Sequence, residues 1–194
     1  MRIDQPTPTV LVPHGSGGMV AANWMIFGPD GNLYVHDPDI GILRFNATTG
    51  APGGVFVPLG RGGLADVRRF GFGPDGRFYV TSVTSHSVLR FDGTTGAFVD
   101  TFIAAGSGGL SRPQGIAFGP DGNCYVASYN THQVLRYHGT TGAFLNVAAA
   151  TSTLRHPTDV AFTPATAAHV DSVWFDDALP PGAGASGTPW QWST

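Results

Sequence analysis

The segment Phe-Gly-Pro-Asp-Gly occurs three times in this chain, at 27–31, 72–76 and 118–122, and a degraded fourth copy, Phe-Thr-Pro-Ala, begins at Phe162. Phe27, Phe72, Phe118 and Phe162 are 45, 46 and 44 residues apart. A second marker, Thr-Thr-Gly at 48–50, 94–96 and 140–142, keeps the same step. A period of this length means that one supersecondary unit is stacked on copies of itself. Such stacking fixes architecture and leaves function to the positions at which the copies differ.

The third copy shows what the unit is. It reads Pro113-Gln-Gly-Ile-Ala-Phe-Gly, a turn at Pro120-Asp-Gly, Asn123-Cys-Tyr-Val-Ala-Ser, a turn around Asn130-Thr-His, Gln133-Val-Leu-Arg-Tyr, a turn at Gly139-Thr-Thr-Gly, and Ala143-Phe-Leu-Asn-Val. These are four short runs of period-two patterning separated by turn chemistry. In the first turn Pro presets φ, Asp can bond its own backbone, and Gly supplies the left-handed residue. No window carries apolar residues at helical spacing, so the unit is a four-stranded antiparallel meander. Repeated every 40 to 50 residues, that is a β-propeller blade. The expected fold class is therefore all-β, a β-propeller segment.

In the innermost strands Met25, Phe70, Ile116 and Val160 stand two residues before Phe27, Phe72, Phe118 and Phe162 and form an apolar column for packing between blades. Ile26, Gly71, Ala117 and Ala161 fall on the opposite face and are mostly small, which suits converging strands. Arg44, Arg90 and Arg136 recur in the third strand at 46-residue steps. They are expected to bridge to backbone or to the turn residues Asp30, Asp75 and Asp121.

The string from Pro113 to Tyr137 resembles an NHL repeat, whose blades read approximately Pro-x-Gly-Ile-Ala, Asp-Gly-x-x-Tyr-Val-Ala-Asp, then Asn-His-Arg-Val. The second copy follows it in Tyr79-Val-Thr-Ser and Ser85-His-Ser-Val-Leu-Arg-Phe, and the first in Tyr34-Val-His-Asp and Gly41-Ile-Leu-Arg-Phe. The resemblance covers about residues 19–162. His86 and His132 fall on the family's histidine; the first copy has Asp39-Ile40-Gly41 there. The family's acidic residue after Tyr-Val survives only as Asp37 and becomes Ser82 and Ser128, so a polar bridge repeated in every copy is not expected at that position. The resemblance implies a propeller and leaves function open, because the family includes protein- and RNA-binding modules, secreted bacterial proteins, and relatives resembling virginiamycin B lyase and lactonases.

The pattern divides the chain into a lead-in with a lone strand candidate, Thr9-Val-Leu-Val (1–18), three blades (19–62, 63–108 and 109–153), a partial fourth blade (154–175) and a Pro/Gly-rich tail (176–194). Propellers close with about four to eight blades, so the chain reads as a fragment, a partner in a shared ring, an open arc, or a four-blade ring latched by the N-terminal strand. Open blade edges would favour self-association. Val173-Trp-Phe-Asp-Asp-Ala-Leu-Pro resembles the opening of a sandwich-type module of secreted bacterial proteins. That resemblance implies a longer extracellular parent, although Met1-Arg-Ile-Asp-Gln-Pro lacks the apolar stretch of a signal peptide.

Composition removes several partners. The net charge is −3, with ten arginines, no lysine and no basic cluster beyond Arg68-Arg69, so no nucleic acid partner is expected. No apolar run approaches the roughly 20 residues of a membrane span. The single cysteine, Cys124, reads as a small core residue.

Ligands of a propeller meet the channel mouth at residues before the innermost strands. The copies differ most there: one column reads Asn23, Arg68, Gln114, Thr158, and the next Trp24, Arg69, Gly115, Asp159. Amides, an aromatic face, guanidinium groups and a carboxylate suit a carbohydrate or a small polar or anionic ligand, and the partner expected at the mouth is a protein or a carbohydrate. The seven histidines show no metal-ligand spacing, so neither a metal nor a cofactor is expected. His86 and His132 read as turn residues; His36-Asp37-Pro38-Asp39 and the His156/Asp159 pair are the better candidates for chemistry. Lactonase-like propellers use a glutamate, and this chain has none. The reading preferred is a non-catalytic binding or interaction scaffold. The alternative is an enzyme of the virginiamycin B lyase type with His156 as base.

Overall fold

The computed structural model describes residues 10–151, 153–162 and 173–174. Among them there is no α-helix, and no helix is long and apolar enough to cross a membrane. Three four-stranded antiparallel sheets follow one another, each in the order of the sequence. The first is β1 (Trp24–Phe27), β2 (Asn32–Asp37), β3 (Gly41–Asn46) and β4 (Pro52–Pro58). The second is β5 (Val67–Phe72), β6 (Phe78–Ser82), β7 (Ser87–Phe91) and β8 (Phe98–Ile103). The third is β9 (Pro113–Phe118), β10 (Cys124–Ser128), β11 (Gln133–Tyr137) and β12 (Phe144–Ala149). A two-stranded piece, β13 (Ala161–Phe162) with β14 (Val173–Trp174), begins a fourth. The all-β propeller segment expected from the repeat is therefore what the chain forms: three blades and part of a fourth. The chain divides into two compact units at Leu59/Gly60, the first holding β1–β4 and the second the remainder.

The repeated turns explain the repeated sheets. In Gly28-Pro-Asp-Gly31 the Gly31 N–H donates to the Gly28 carbonyl (3.0 Å), Asn32 N–H donates to Asp30 Oδ1 (3.1 Å), and Gly31 takes φ +74°. The copies at Gly76 and Gly122 repeat this with φ +74° and +72°. Each turn aspartate also accepts the hydroxyl of the tyrosine four residues on, at 3.0 Å in all three blades: Tyr34 to Asp30, Tyr79 to Asp75, Tyr125 to Asp121. This replaces much of the expected arginine bridge. Only Arg136 reaches its turn aspartate, Asp121, at 2.5 Å. Arg90 instead grips Asp100 (3.0 and 2.6 Å) and donates to the Thr140 carbonyl of the next blade (3.1 Å), while Arg44 lies over the Phe56 ring. A guanidinium on a long stem takes whichever partner lies within reach, in its own blade or, for Thr140, in the next.

The polar bridge not expected at Asp37, Ser82 and Ser128 is present in every blade. Asp37 Oδ2 accepts the N–H groups of Val20 (2.7 Å) and Ala21 (3.0 Å), Ser82 Oγ accepts that of Ala65 (3.0 Å), and Ser128 Oγ accepts that of Ser111 (3.0 Å). Each ties the end of a second strand to the lead-in of its own blade. Serine keeps the bridge because a hydroxyl oxygen accepts as a carboxylate does. A further repeat lies in these lead-ins. Gly15-Ser-Gly-Gly, Gly60-Arg-Gly-Gly and Gly106-Ser-Gly-Gly each make one 3-10 turn with three left-handed glycines, the third lying close under the Phe144 ring at Gly108.

In the second unit the blades pack through the expected column. Ile116 and Phe118 of β9 lie against a buried cluster that joins Tyr79, Val88, Phe102 and Ile103 of one blade to Cys124, Val126, Leu135 and Tyr137 of the next. Phe118 meets Tyr79 edge to face at 4.8 Å, and Phe162 meets Tyr125 at 4.9 Å in the same way. Phe70 and Val160 are each 3% exposed. In the first unit the same face of β2 and β3, Leu33, Val35, Leu43 and Phe45, is covered by Val12, Met19, Ile40 and Ala47. Met25 and Phe27 of β1 stay 52% and 70% exposed, so the column fails there. Val10–Val12 is a bend and not a strand, and it lies on the first sheet's own unit; Thr9 and the tail at 176–194 fall outside the described residues.

Candidate functional site

The two variable columns divide between the units. In the first unit Asn23 is exposed and its N–H donates to the His36 carbonyl (3.1 Å), and half-buried Trp24 opens β1 opposite His36. In the second unit Arg68, Arg69, Gln114, Thr158 and Asp159 stand in the segments that lead into β5, β9 and β13, or in their first residues.

Arg69 and Asp159 are the pair that the fold brings together. The guanidinium Nε donates to Asp159 Oδ2 at 3.2 Å across 90 residues of sequence, with the two side chains 24% and 30% exposed. The intervening member of that column is Gly115, and a Cβ there would stand 2.5 Å from the Asp159 Cα. Glycine at 115 is thus what lets the chain before β13 approach β9 closely enough for Arg69 to reach over it. Arg69 is itself held by its backbone: its N–H donates to Thr81 Oγ1 (3.0 Å). The Thr81 hydroxyl in turn faces the Gln114 carbonyl at 2.8 Å, linking two blades beneath the pair. Gln114 is buried, while Arg68 is exposed and lies 3.6 Å from Asp66. Partly screened pairs of this kind contribute about 0.2–1 kcal/mol, so the arrangement holds charge in place more than it stabilises the fold.

His156 lies in the loop before β13, exposed, with φ +49°. Its N–H donates to His132 Nδ1 (3.1 Å), as Arg112 N–H donates to His86 Nδ1 (2.9 Å) one blade earlier. His86 and His132 therefore brace successive blades, which extends the turn role expected of them. The His156 ring rests 4.4 Å from both the Tyr129 and the His132 rings. His36 and Asp37 are buried, and Asp37 spends both oxygens on backbone N–H groups, adding Asp39 (2.9 Å) and Ile40 (3.2 Å) to the two above. Burial would raise its carboxyl, but those four donors hold it below the usual range. Burial alone pushes the Cys124 thiol up, which suits a core residue and not a nucleophile. Among the described residues no group of three His, Cys, Asp or Glu could hold a metal ion.

No family model matches the chain and no curated protein matches it. Solved structures do, at low sequence identity. The catalytically inactive variant of virginiamycin B lyase from Staphylococcus aureus with quinupristin matches at TM-score 0.56 and 16% identity, over 78% of this chain and 47% of the lyase. Hydrazine synthase of Kuenenia stuttgartiensis matches at TM-score 0.60 and 19% identity, over 88% of this chain and 49% of that one. The computationally designed Ika4 protein matches at TM-score 0.59 and 15% identity, over 96% of this chain and 98% of its own length. The chain spans about half the length of the two natural proteins. The three meandering sheets, their blade-to-blade phenylalanines and these likenesses agree that the chain is, by fold, a partial β-propeller similar to virginiamycin B lyase.

Proposed function

We propose that the chain is a non-catalytic propeller scaffold that binds a polar ligand, a carbohydrate or a protein segment, where the first strands of the second unit begin. The observation that carries this reading is the Arg69–Asp159 pair. The residues repeated in every blade are spent on turns, bridges and packing, whereas this pair sits where the copies differ. It sets a guanidinium and a carboxylate, 24% and 30% exposed, side by side at the start of the innermost strands, with exposed Arg68 next to it in sequence. A thermal-shift screen over sugars and peptides tests it. A ligand is expected to raise the Tm of the wild type, and the shift is expected to vanish in Arg69→Ala and Asp159→Ala. A ligand whose shift survives both variants would refute this site.

A lyase is the second reading, favoured by the fold shared with virginiamycin B lyase and by an exposed imidazole at His156. It predicts that quinupristin is consumed, as followed by mass spectrometry, and that His156→Ala stops this. Unchanged quinupristin leaves the scaffold reading in place. We also propose an extracellular setting within a longer bacterial protein, on the resemblance at 173–180; recovery of the protein from culture medium checks it.

A further inference from the structure

The sequence carries no basic cluster beyond Arg68-Arg69, but the second unit assembles one. The segments that enter its first strands and the turns that follow its second strands are tied into one rim. Within a blade, Val83 N–H donates to the Asp66 carbonyl (3.0 Å) and Tyr129 N–H to the Arg112 carbonyl (3.2 Å). Between blades, Arg112 N–H donates to His86 and His156 N–H to His132. The rim, at 65–69, 83–86, 111–114, 129–132 and 155–159, carries four arginines against two aspartates, with three histidines. The turns at the other ends of the same strands, at 73–77, 92–97, 119–123 and 138–143, carry three aspartates against one arginine. The fold thus separates charge between two sets of strand ends.

Both rim aspartates are met within the rim, Asp66 by Arg68 and Asp159 by Arg69. Arg112 and Arg155 have no carboxylate partner among the described residues. The two stand at one place. The Arg112 guanidinium lies 5.2 Å from the centre of the Tyr129 ring, that ring lies 4.4 Å from the His156 ring, and exposed Arg155 immediately precedes His156. The backbone singles out the same rim. Asp66, His86, Arg112, His132 and His156 are the only non-glycine residues among the described ones with left-handed φ, from +49° to +58°, and every other such position is glycine. Glycine would hold these conformations without strain. His86 and His132 keep their side chains as braces; Asp66, Arg112 and His156, one at each strand entry, present polar groups at the rim, and strain of this kind gathers where a ligand is met.

We propose that this rim binds a carboxylate-bearing carbohydrate, a uronic acid chain, with Arg112 and Arg155 meeting its carboxylates beside the Tyr129 and His156 rings. The proposal rests on the ligand-binding reading of the second unit and names the ligand class. A sugar fits better than a peptide because the main chain of the rim is spent: the N–H groups of Ala65, Ser111, Arg112 and His156 all donate to side chains of the blades, so no strand edge is open for a peptide to pair with. It fits better than a nucleic acid because aspartates stand among the arginines, where a continuous phosphate backbone is repelled and a chain of hydroxyl-bearing rings is not.

Titration calorimetry of the full 194-residue chain with oligogalacturonate at low salt tests this. Binding is expected, and it is expected to vanish when the same oligomer is methyl-esterified. Arg112→Gln and Arg155→Gln are each expected to weaken it about tenfold. Arg155 is exposed, so its variant reads the charge alone whatever Arg112→Gln does to the fold. Oligoglutamate and a single-stranded oligonucleotide of matched charge are expected to bind more weakly. No binding of oligogalacturonate overturns the proposal, and so does binding that methyl-esterification or Arg155→Gln leaves unchanged. Equal binding of oligoglutamate or of the oligonucleotide overturns it as well, because charge alone would then explain the affinity. A neutral sugar or a peptide whose binding needs Arg69 and Asp159 but ignores Arg112 and Arg155 overturns this ligand class while leaving the wider binding reading in place.

Discussion

Replacing Asp37 separates a structural carboxylate from a catalytic one. Its side chain is fully buried at the end of β2 and accepts four backbone N–H groups, from Val20 (2.7 Å), Ala21 (3.0 Å), Asp39 (2.9 Å) and Ile40 (3.2 Å). A hydrogen bond to a charged group contributes about 1.5–3 kcal/mol, and losing one partner leaves the other unsatisfied. Four such bonds do not add in full, because Val20 and Asp39 are exposed and their freed N–H groups can turn to water. Asp37→Ala is therefore expected to cost about 3 kcal/mol, and Asp37→Ser less, because serine makes the corresponding bridge in the other two blades. Urea unfolding followed by circular dichroism measures this, with an unchanged m-value showing that stability and not compactness has shifted. The carboxyl is held below its ordinary value, so its contribution is present above the unfolded value near 3.8 and is lost as pH falls through the lower folded value. The Asp37→Ala variant should lack that part of the acid sensitivity. A loss within about 0.5 kcal/mol, the range of an ordinary surface substitution, would refute the reasoning and return Asp37 to the candidates for chemistry.

Three further outcomes follow from the packing. Asp121 is held at about 2, where burial is outweighed by hydrogen bonds from Asn123, Tyr125 and Arg136; its contribution should be complete above about pH 4 and disappear toward pH 2, so melting curves of Asp121→Asn should show a smaller loss than wild type across that window. Gly108→Ala should destabilise more than Gly109→Ala: both glycines are left-handed, at φ +58° and +91°, but a Cβ at 108 runs into the Phe144 ring and one at 109 meets nothing within 4 Å. The conformational part costs about 1–2 kcal/mol at each, and urea midpoints give the difference. Phe118→Ala should cost roughly 2–3 kcal/mol, a little under a fully buried phenylalanine, while Phe27→Ala at the same repeat position should stay within about 0.5 kcal/mol when measured on dilute monomer; equal losses would contradict the exposure of β1.

Local chemistry made much of the fold legible. Pro-Asp-Gly sets a turn through its own φ values and its own side chain, so the three copies announced three hairpins whatever surrounded them. The aspartate's second role, accepting Tyr34, Tyr79 or Tyr125, needs the tyrosine four residues on and was within reach of the same pattern. The Gly-x-Gly-Gly lead-in also repeats in step, but glycines carry no side-chain signal to distinguish a defined turn from a loose linker. Asp37, Ser82 and Ser128 look unlike one another by charge, and only the shared capacity of an oxygen to accept unites them. The exposure of Met25 and Phe27 depends on what lies against the first blade, which no alternation within the strand records. For the candidate site the columns were legible and the pairing was not: Arg69 and Asp159 share a column, but their contact depends on Gly115 admitting a close backbone approach.

A stack of repeats in which each blade touches only its neighbours behaves as a one-dimensional chain of coupled units, and a defect at one end is felt weakly at the other. The Phe118–Tyr79 and Phe162–Tyr125 contacts are links of that nearest-neighbour kind. The Arg69–Asp159 pair is not, since it passes over the third blade to join the second to the fragment beyond it. Fraying of that terminal fragment therefore removes a partner from the second blade directly, and amide exchange at Arg69 and Val160 should slow or quicken together even though 90 residues separate the two charges.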